Sequence, residues 1–315
     1  MSGSRLRYIH VSKAIIMARQ EYEMLDIIDL DIESMGYDNF ISTWLYQGDS
    51  GGVFLVDPGP TVTVDHLVSE IKSRGIEKVD LILLTHIHMD HAGGIGDVHG
   101  YFPDARVVCH QKAVEHLLDP TRLQEGSVKV LGEVAKTYGK IRPVPKHRIV
   151  AEKFIDFEDG ITVIPTPGHA AHHQSFVFRD ILFCGEMFGV FQDLETSFYL
   201  RPATPPRFVM ADFLESMDRI RPYADRKLCF GHYGSHPNGL EILNVAKRQL
   251  ELWVDVIRNH MDQPDQEVIT RHLMEEDPVF SRISMLTEQQ YQRELYFVGN
   301  SIKGISGYLK EKETL

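Results

Sequence analysis

Short apolar runs alternate with segments of helical spacing over the first 138 residues of the chain. Residues 40–46 and 53–56 flank a polar, glycine-containing stretch, a pattern that predicts two paired strands. The spacing predicts a helix over residues 62–73, and the apolar run 79–84 predicts a buried strand. The next elements are predicted in the order helix, strand, helix and helix, over residues 94–102, 106–109, 111–118 and 122–138.

The middle of the chain has the pattern of an antiparallel meander. Short apolar runs are separated by turn signals such as Asp-Gly and Arg-Asp, over residues 154–157, 161–165, 174–178 and 181–184. A helix is then predicted over residues 206–220, opened by proline, and a strand over residues 227–230. From Gly239 onward the spacing is helical only, with shorter helices predicted over residues 263–276 and 287–308.

This order of elements predicts an α/β (α+β) fold in which two sheets are sandwiched between helices. The length of 315 residues exceeds that of a usual single core, so an appended unit or a second domain is expected. We predict one domain over residues 1–238 and a helical C-terminal extension over residues 239–315. The extension either caps the core or covers one side of a functional site, and the pattern does not decide between the two.

The composition is that of an acidic globular protein, with 43% hydrophobic residues and a formal net charge of -12. Because nucleic-acid binding needs a basic surface, we expect no nucleic-acid partner, and we predict a small-molecule substrate that is not strongly anionic, with a local basic pocket left open. Cys109, Cys184 and Cys229 lie singly in apolar stretches, which predicts buried, reduced thiols.

Targeting signals are not apparent in the pattern. The first thirty residues carry several charges and lack the apolar core of a signal peptide. No stretch approaches the length and hydropathy of a membrane span. We therefore predict a cytoplasmic protein with no membrane partner, and homodimer formation is left open.

The densest group of chemically active side chains directly follows the strand predicted over residues 79–84. His86, His88, Asp90 and His91 lie within six positions, followed at once by two glycines. A single histidine at a strand end is more often an ordinary polar residue, but four potential ligands in six positions indicate a metal site. Such a cluster can serve two ions about 3.5–4 Å apart, as two-metal hydrolases require.

Three more strand ends supply ligand-type side chains. His169 stands in Thr-Pro-Gly-His, Glu186 in Cys-Gly-Glu, and His232 in Phe-Gly-His, each directly after a predicted strand. Loops at strand ends are where a rigid scaffold gathers a site from distant parts of the sequence. Further histidines near these segments are explained more simply by surface or packing roles than by support of the ligands, namely His172, His173 and His236.

In this order and spacing, the His-x-His-x-Asp-His cluster, Thr-Pro-Gly-His, Gly-Glu and Gly-His resemble the metallo-β-lactamase superfamily, in particular its glyoxalase II-like and lactonase-like hydrolases. The resemblance covers roughly residues 38–236 and includes Asp57, which matches the early Asp-x-Gly turn of the family. It implies a four-layer αββα sandwich with a dinuclear site at one edge of the sheets.

The resemblance also implies which residues hold two divalent metal ions. The first ion would be held by His86, His88 and His169, the second by Asp90, His91 and His232, with Glu186 as the bridge. Zinc is the expected metal, with iron or manganese as alternatives. The family usually has aspartate where this chain has glutamate, and the extra methylene moves the carboxylate by about one bond length unless the backbone retreats. Bridging, binding of one ion and a weakly filled second site all stay open.

The residues of the cluster favour hydrolysis among the reactions of the family. Members that reduce oxygen or nitric oxide at two irons typically have glutamate at the position of His88, and single-iron members lack the second ligand set. We therefore predict cleavage of a lactone, thioester or ester by a metal-bound hydroxide, with Asp90 orienting it and accepting its proton. An iron oxidoreductase and a non-catalytic metal-binding domain are the alternatives.

The substrate cannot be identified from the sequence. The aromatic segments 187–191 and 196–200 are candidates for the lining of an apolar pocket, although such runs more often lie in a core. Tyr199 and Tyr233 are candidates for an assisting hydroxyl because they lie near the ligands in sequence, with ordinary packing as the alternative.

Overall fold

The computed structural model describes residues 24–313 and contains two six-stranded sheets and a separate two-stranded hairpin. In chain order the strands are β1 Met24–Asp29, β2 Ser42–Gln47, β3 Val53–Val56, β4 Leu81–Leu83, β5 Arg106–Val108, β6 Ile149–Val150, β7 Phe154–Ile155, β8 Ile161–Pro165, β9 Gln174–Phe178, β10 Ile181–Gly185, β11 Val190–Asp193, β12 Phe198–Arg201, β13 Lys227–Phe230 and β14 Ser235–His236.

Both sheets combine antiparallel and parallel pairs. The first sheet has the order β1-β2-β3-β4-β5-β6, antiparallel up to β3 and parallel from β3 to β6. The second has the order β14-β13-β10-β9-β8-β7, in which β7 to β10 form the predicted antiparallel meander and β13 runs parallel to β10. The remaining strands, β11 and β12, pair with each other.

Helices connect the strands and cover the sheets. They are α1 Val64–Ser73, α2 Met89–Ala92, α3 Ile95–Tyr101, α4 Val114–Leu118, α5 Thr121–Leu131, α6 Glu133–Tyr138, α7 Met210–Ile220, α8 Gly239–Arg258, α9 Gln266–Glu276 and α10 Glu288–Glu313.

Three hydrophobic clusters hold the layers together. Between the sheets, Trp44 and Phe54 pack with Phe176 and Phe183, and the Phe54 ring centroid lies 5.7 Å from that of Phe183. A second cluster joins the outer face of the first sheet to α1–α4 and α6, and a third joins the outer face of the second sheet to α7–α10. The layers are therefore helix, sheet, sheet and helix, and the predicted αββα class is confirmed.

Most predicted elements are present, and the differences have local causes. The helix predicted over residues 122–138 is interrupted at Gly132, whose φ of 59° and ψ of -124° cannot continue a helix, so α5 and α6 are separate. β1 is missed by the sequence pattern, because Asp26 and Asp29 interrupt its apolar run and make the segment look like a polar lead-in. In the structure it pairs with β2 along its whole length. β11 and β12 form a hairpin from segments whose aromatic content predicts pocket lining.

The C-terminal extension is helical, as predicted, and packs on the second sheet. Leu243 and Trp253 of α8 are fully buried and share the third cluster with Leu228 of β13. Arg201 of β12 and Glu294 of α10 form a buried ion pair, with 2.6 Å between Arg201 Nε and Glu294 Oε2. The division of the chain into two domains at residue 238 stays a prediction.

The three cysteines are buried and free, as predicted. Burial raises the pKa of the Cys109 thiol to about 12, so this thiol is neutral and poorly nucleophilic at pH 7. Among residues 24–313, no helix combines the length and the hydropathy needed to cross a bilayer. The prediction of a missing signal peptide falls mainly on residues 1–23, outside the described part of the chain.

We expect Leu243→Ala to lower the free energy of unfolding by about 2–5 kcal/mol, because it removes buried methyl groups and leaves a cavity between α8 and the second sheet. Urea unfolding followed by circular dichroism measures this loss. The matched control is Leu240→Ala in the same helix, where the side chain is 44% exposed and the change should stay within about 0.5 kcal/mol. Equal losses in the two variants would contradict the described packing of α8.

Candidate metal centre

The seven predicted ligands come together at one edge of the sandwich, where hydrogen bonds join the two sheets. The backbone N–H of Gln174, at the start of β9, donates to the carbonyl of Thr85 just after β4, with an N–O distance of 2.8 Å. The N–H of Ser42 in β2 likewise donates to the Gly231 carbonyl after β13, at 2.9 Å. The ligands follow β4 (His86, His88, Asp90 and His91), β8 (His169), β10 (Glu186) and β13 (His232).

The Glu186 carboxylate lies in the middle of the group. Its Oε2 is 2.8 Å from His169 Nε2 and 3.3 Å from His86 Nε2. The same oxygen is 3.4 Å from His91 Nε2, and Oε1 is 3.5 Å from His232 Nε2. One side chain therefore contacts imidazoles predicted for both metal ions.

The donor atoms of the first predicted set converge on one point. The ligand atoms of His86, His88, His169 and Glu186 all lie within 4.8 Å of one another. His88 faces this point through Nδ1, which is 2.8 Å from His169 Nε2. Four donors so close together are spaced as ligands of one ion would be.

The second predicted set also converges, more loosely. The ligand atoms of Asp90, His91 and His232 lie within 4.8 Å of one another. Asp90 Oδ2 is 3.8 Å from His232 Nε2 and 4.0 Å from His91 Nε2. All seven residues singled out in the sequence are thus brought together, in the two groups that the resemblance implies.

Backbone carbonyls orient two of the imidazoles. His169 Nδ1 is 3.0 Å from the Ala203 carbonyl oxygen, and His232 Nδ1 is 2.8 Å from that of Phe40. Because a carbonyl oxygen only accepts, each Nδ1 carries the proton and donates it. Each Nε2 therefore presents its lone pair to the centre, the usual arrangement behind metal-bound histidine.

Asp57 orients two further imidazoles through a short chain of hydrogen bonds. Its carboxylate accepts from the Thr85 N–H at 2.8 Å, from the Thr85 hydroxyl at 2.6 Å and from His91 Nδ1 at 3.1 Å. Since the Thr85 hydroxyl proton is used, its oxygen accepts from His86 Nδ1, at 3.1 Å. Asp57 could be counted as a ligand with His86 and His91, but its oxygens already accept these bonds, so we assign it the positioning role.

The donor set fits divalent cations. Nε2 of His86 and Nε2 of His91 are buried and have no hydrogen-bond partner among the described residues, a costly arrangement unless something accepts their lone pairs. Burial lowers the pKa of His86 well below its ordinary value and that of His88 to about 3, which keeps both rings neutral as metal ligands must be. Imidazoles combined with carboxylates are the ligands of zinc, iron and manganese sites.

Negative charge concentrates at the second group. Burial works against a charged His91, but the carboxylates of Asp90, Asp57 and Glu186 raise the pKa of His91 well above its ordinary value. Burial also favours the neutral acid at Glu186, yet the neighbouring His169 and other imidazoles hold the pKa of Glu186 well below its ordinary range. The group therefore attracts positive charge, which a metal cation can supply in place of the proton on His91.

A bulge and a glycine fix the backbone from which Glu186 starts. The register of β10 against β13 shifts between Phe183 and Gly185, and Gly185 has a φ of 54°. A Cβ atom at Gly185 would lie 2.6 Å from His173 Nε2, so only glycine fits. The N–H of Glu186 donates to the same nitrogen at 3.2 Å. This turn sets where the longer carboxylate side chain begins.

His173 is a positioning residue that the sequence pattern does not reveal. It is fully buried rather than at the surface. Because its Nε2 accepts from the Glu186 N–H, its Nδ1 carries a proton and donates to Thr166 Oγ1 at 2.8 Å. The only sequence signal is its place four residues after His169, on the loop between two strands. His236, by contrast, packs on the Phe198 ring at 5.2 Å.

A cavity of about 670 Å³ opens onto the centre and gives a small molecule access to it. His88, Asp90 and Glu186 line its floor, and α5 and α10 line its sides. Glu294 and Phe297 are among the contributions of α10. The extension therefore has both of the roles left open by the sequence, since it caps the core of the second sheet and covers one side of the site.

The aromatic segments lie mainly in a core, the more usual of the two alternatives that the sequence offers for them. Of residues 187–191 and 196–200, only Val190 lines the cavity, whereas Phe188, Phe191 and Tyr199 are buried in the third cluster. The Tyr199 hydroxyl donates to Glu294 at 3.1 Å, and Tyr233 is hydrogen bonded to Asp29. Neither tyrosine lines the cavity, so packing explains both.

Known sequences match the region that carries the ligands. The profile of the Metallo-beta-lactamase superfamily matches residues 36–232, more than half of the chain. The metallo-beta-lactamase fold-containing protein ST1585 of Sulfurisphaera tokodaii is 29% identical over 167 residues, which are 50% of this chain and 62% of that protein. Hydroxyacylglutathione hydrolase of Erwinia tasmaniensis is 31% identical over 150 residues, 47% of each chain. The chain thus spans less than two thirds of the length of both relatives.

Solved structures share the fold over almost the whole chain. ST1585 from Sulfolobus tokodaii superposes with a TM-score of 0.66 and 19% identity, covering 92% of this chain and 98% of the other. The metallo-beta-lactamase family protein TTHA1429 from Thermus thermophilus gives 0.65 and 21%, covering 92% and 94%. Since the profile match from residue 36 to 232 includes all the ligands from His86 to His232, the chain belongs to the metallo-beta-lactamase superfamily.

Proposed function

We propose that the protein is a metal-dependent hydrolase that uses two divalent ions to cleave a small ester-like bond, in a lactone, thioester or ester. The observation that carries the proposal is the pair of converging donor groups that share Glu186 and open onto one cavity. Two-metal sites of this kind serve hydrolytic displacement. The similarity to the hydroxyacylglutathione hydrolase of Erwinia tasmaniensis supports an acyl substrate.

The geometry supports the ligand assignment made from the resemblance. His86, His88 and His169 would hold the first ion and Asp90, His91 and His232 the second, while Glu186 contacts both groups and would bridge them. The glutamate reaches both groups because it starts from the glycine turn after β10. Zinc is the proposed metal, and the donor chemistry also suits iron or manganese.

Asp90 and Glu186 would have different tasks in the reaction. When bound, the two cations lower the pKa of a water molecule from 15.7 to about 7 and polarise the carbonyl under attack. The Asp90 side chain is 16% exposed and faces the cavity, whereas that of Glu186 is 6% exposed. Asp90 can therefore orient the attacking water and accept its proton, while Glu186 holds the two ligand groups together from below.

The proposal extends to the partner and the location of the protein. The net charge of -12 supports a small-molecule substrate rather than nucleic acid. A cytoplasmic location without a membrane partner is part of the same proposal, and homodimer formation stays open.

We expect His88→Ala and Asp90→Ala each to reduce kcat/KM at least about a hundredfold, because even residues that only support metal ligands contribute 10- to 100-fold. The assay is a panel of lactone, thioester and ester substrates, run beside elemental analysis of protein purified without added metal. The matched control is His147→Ala, an exposed histidine outside both donor groups, which should keep wild-type metal content and activity.

Two results of this experiment would overturn the hydrolase. One equivalent of iron with oxygen consumption and no turnover of the panel would identify an iron oxidoreductase. Only trace metal in the wild-type protein, with no activity after addition of zinc or manganese, would identify a non-catalytic domain.

Glu186→Asp tests the bridge directly. The shorter side chain withdraws the carboxylate by about 1.5 Å, so we expect one of the two donor groups to lose its contact. Metal content should fall from two equivalents toward one, with at least about a tenfold loss of kcat/KM. Glu186→Gln is the companion variant, because it keeps the length and removes the charge. Unchanged metal content and activity in Glu186→Asp would mean that the longer side chain has no special role.

A further inference from the structure

The α5 helix lies between the cavity and the second cluster, against which Leu123, Val128 and Leu131 pack while staying only partly buried. None of its eleven residues is buried, which is unusual for a helix of three turns. Leu123, Ser127 and Val130, spaced four and three residues apart, lie on one side of the helix and line the cavity. Val130 is 60% exposed although it is apolar. This face is therefore available to a ligand in the cavity.

The two ends of α5 differ in chemistry. At its C-terminal end, Leu131 lines the cavity beside Phe297 of α10, and the Tyr296 hydroxyl lies 3.5 Å from the Leu131 carbonyl. At its N-terminal end, Arg122 lines the cavity together with Lys112, which lies in the single 3-10 turn Gln111–Ala113 just before α4. The eleven residues of α5 span about 16 Å, so one ligand can contact the apolar end and the cationic end at once.

Three of the four Lys and Arg side chains that line the cavity lie outside the ion pairs of the described residues. Lys112, Arg122 and Arg207 are exposed, and none forms an ion pair within residues 24–313. Asp119 is an acidic group close to Arg122. Its Oδ1 accepts from the Thr121 N–H and hydroxyl, and these bonds, more than the charge of Arg122, hold the pKa of Asp119 below its ordinary value. The three basic side chains are therefore free to bind an anion.

Three of the four carboxylates that line the cavity are less exposed than these cations, with side-chain exposures of 16% for Asp90, 6% for Glu186 and 2% for Glu294. Asp90 and Glu186 belong to the donor groups, and Glu294 is paired with Arg201. Asp212 is the remaining carboxylate of the lining, set against the three unpaired cations. The opening of the cavity is thus locally positive, although the net charge of the chain is -12. A local positive potential of this kind concentrates anions at the opening.

We infer, on the basis of the proposed hydrolase, that its substrate carries an anionic group, a carboxylate or a phosphate, at a distance from the scissile bond. Lys112 and Arg122, with Arg207 on another segment of the wall, bind that group. The apolar part of the substrate lies under Leu123, Val130 and neighbouring side chains of α5. Net charge alone predicts a substrate that is not strongly anionic. The basic side chains at the cavity change that expectation, and they form the local basic pocket that the sequence left open.

Three thioesters with one acyl group test the inference: the hexanoyl thioesters of 2-mercaptoethanol, of 3-mercaptopropanoate and of 2-mercaptoethyl phosphate. Wild-type protein should cleave the anionic compounds with the higher kcat/KM, and the carboxylate and phosphate arms tell the two chemistries apart. In Lys112→Ala/Arg122→Ala we expect kcat/KM for the preferred anionic thioester to fall about tenfold. Each lost contact between a basic side chain and the anion contributes about threefold, as partly exposed ion pairs do. The neutral thioester should change less than about twofold.

The matched control removes the same two charges elsewhere. Lys129→Ala/Lys146→Ala replaces exposed lysines that do not line the cavity, so it has the net charge of the test variant. It should retain the preference for the anionic thioester. Equal losses for neutral and anionic thioesters in Lys112→Ala/Arg122→Ala, or an equal loss of preference in the control, would overturn the inference.

A binding experiment separates failure of this inference from failure of the hydrolase. Isothermal titration with hexanoate, hexyl phosphate and hexanol needs no turnover. One of the two anions should bind more tightly than hexanol, and its affinity should fall about tenfold in Lys112→Ala/Arg122→Ala. If the anion binds in this way but no thioester is cleaved, the anion site is supported and the proposed hydrolase activity is rejected. Anion binding that is undiminished in the variant would place the anion at the metal ligands and reject the cationic mouth.

Discussion

The hydrogen bonds that the Asp57 carboxylate accepts are the constraint on which the candidate centre depends. Asp57 is buried at the end of β3 and fixes Thr85 and His91 directly, and His86 through the Thr85 hydroxyl. Histidines from both donor groups therefore take their orientation from one side chain. A disturbance at Asp57 would rotate histidines of both donor groups, so the two groups are mechanically linked.

The edge where the two sheets meet gives this network its rigidity. The Trp44 indole N–H donates to the Phe230 carbonyl at 2.8 Å, and the Gln174 side chain donates to the Leu84 carbonyl at 3.0 Å. Close packing adds to these bonds, since a Cβ at Gly231 would lie 2.7 Å from His91 Cε1. The seven residues thus lie on loops whose ends are tied across both sheets, which limits their movement.

The sequence predicts which seven residues come together because they follow apolar strands, and strand ends of a sandwich meet at one edge. Their role as metal ligands stays a prediction. The same reasoning cannot reach His173, whose role depends on a bulge after Phe183 and on a glycine turn. It also cannot separate the buried aromatic side chains of β11 and β12 from pocket lining, because composition does not say which face is covered. The basic mouth escapes prediction for a related reason, since Lys112 and Arg207 lie far apart in sequence and become neighbours of one cavity only through the fold.

The buried pair of Arg201 and Glu294 has a consequence for the modularity of the chain. Its two members come from the β11–β12 hairpin and from α10, so neither segment can be exchanged between related proteins without the other. Loss of Glu294 would leave the buried charge of Arg201 uncompensated, a penalty of about 3–5 kcal/mol, whereas loss of Arg201 would leave Glu294 with Arg293, 3.4 Å away. Because Arg201 and Glu294 also line the cavity, a recombined protein would inherit or lose this part of the cavity wall together with the pair.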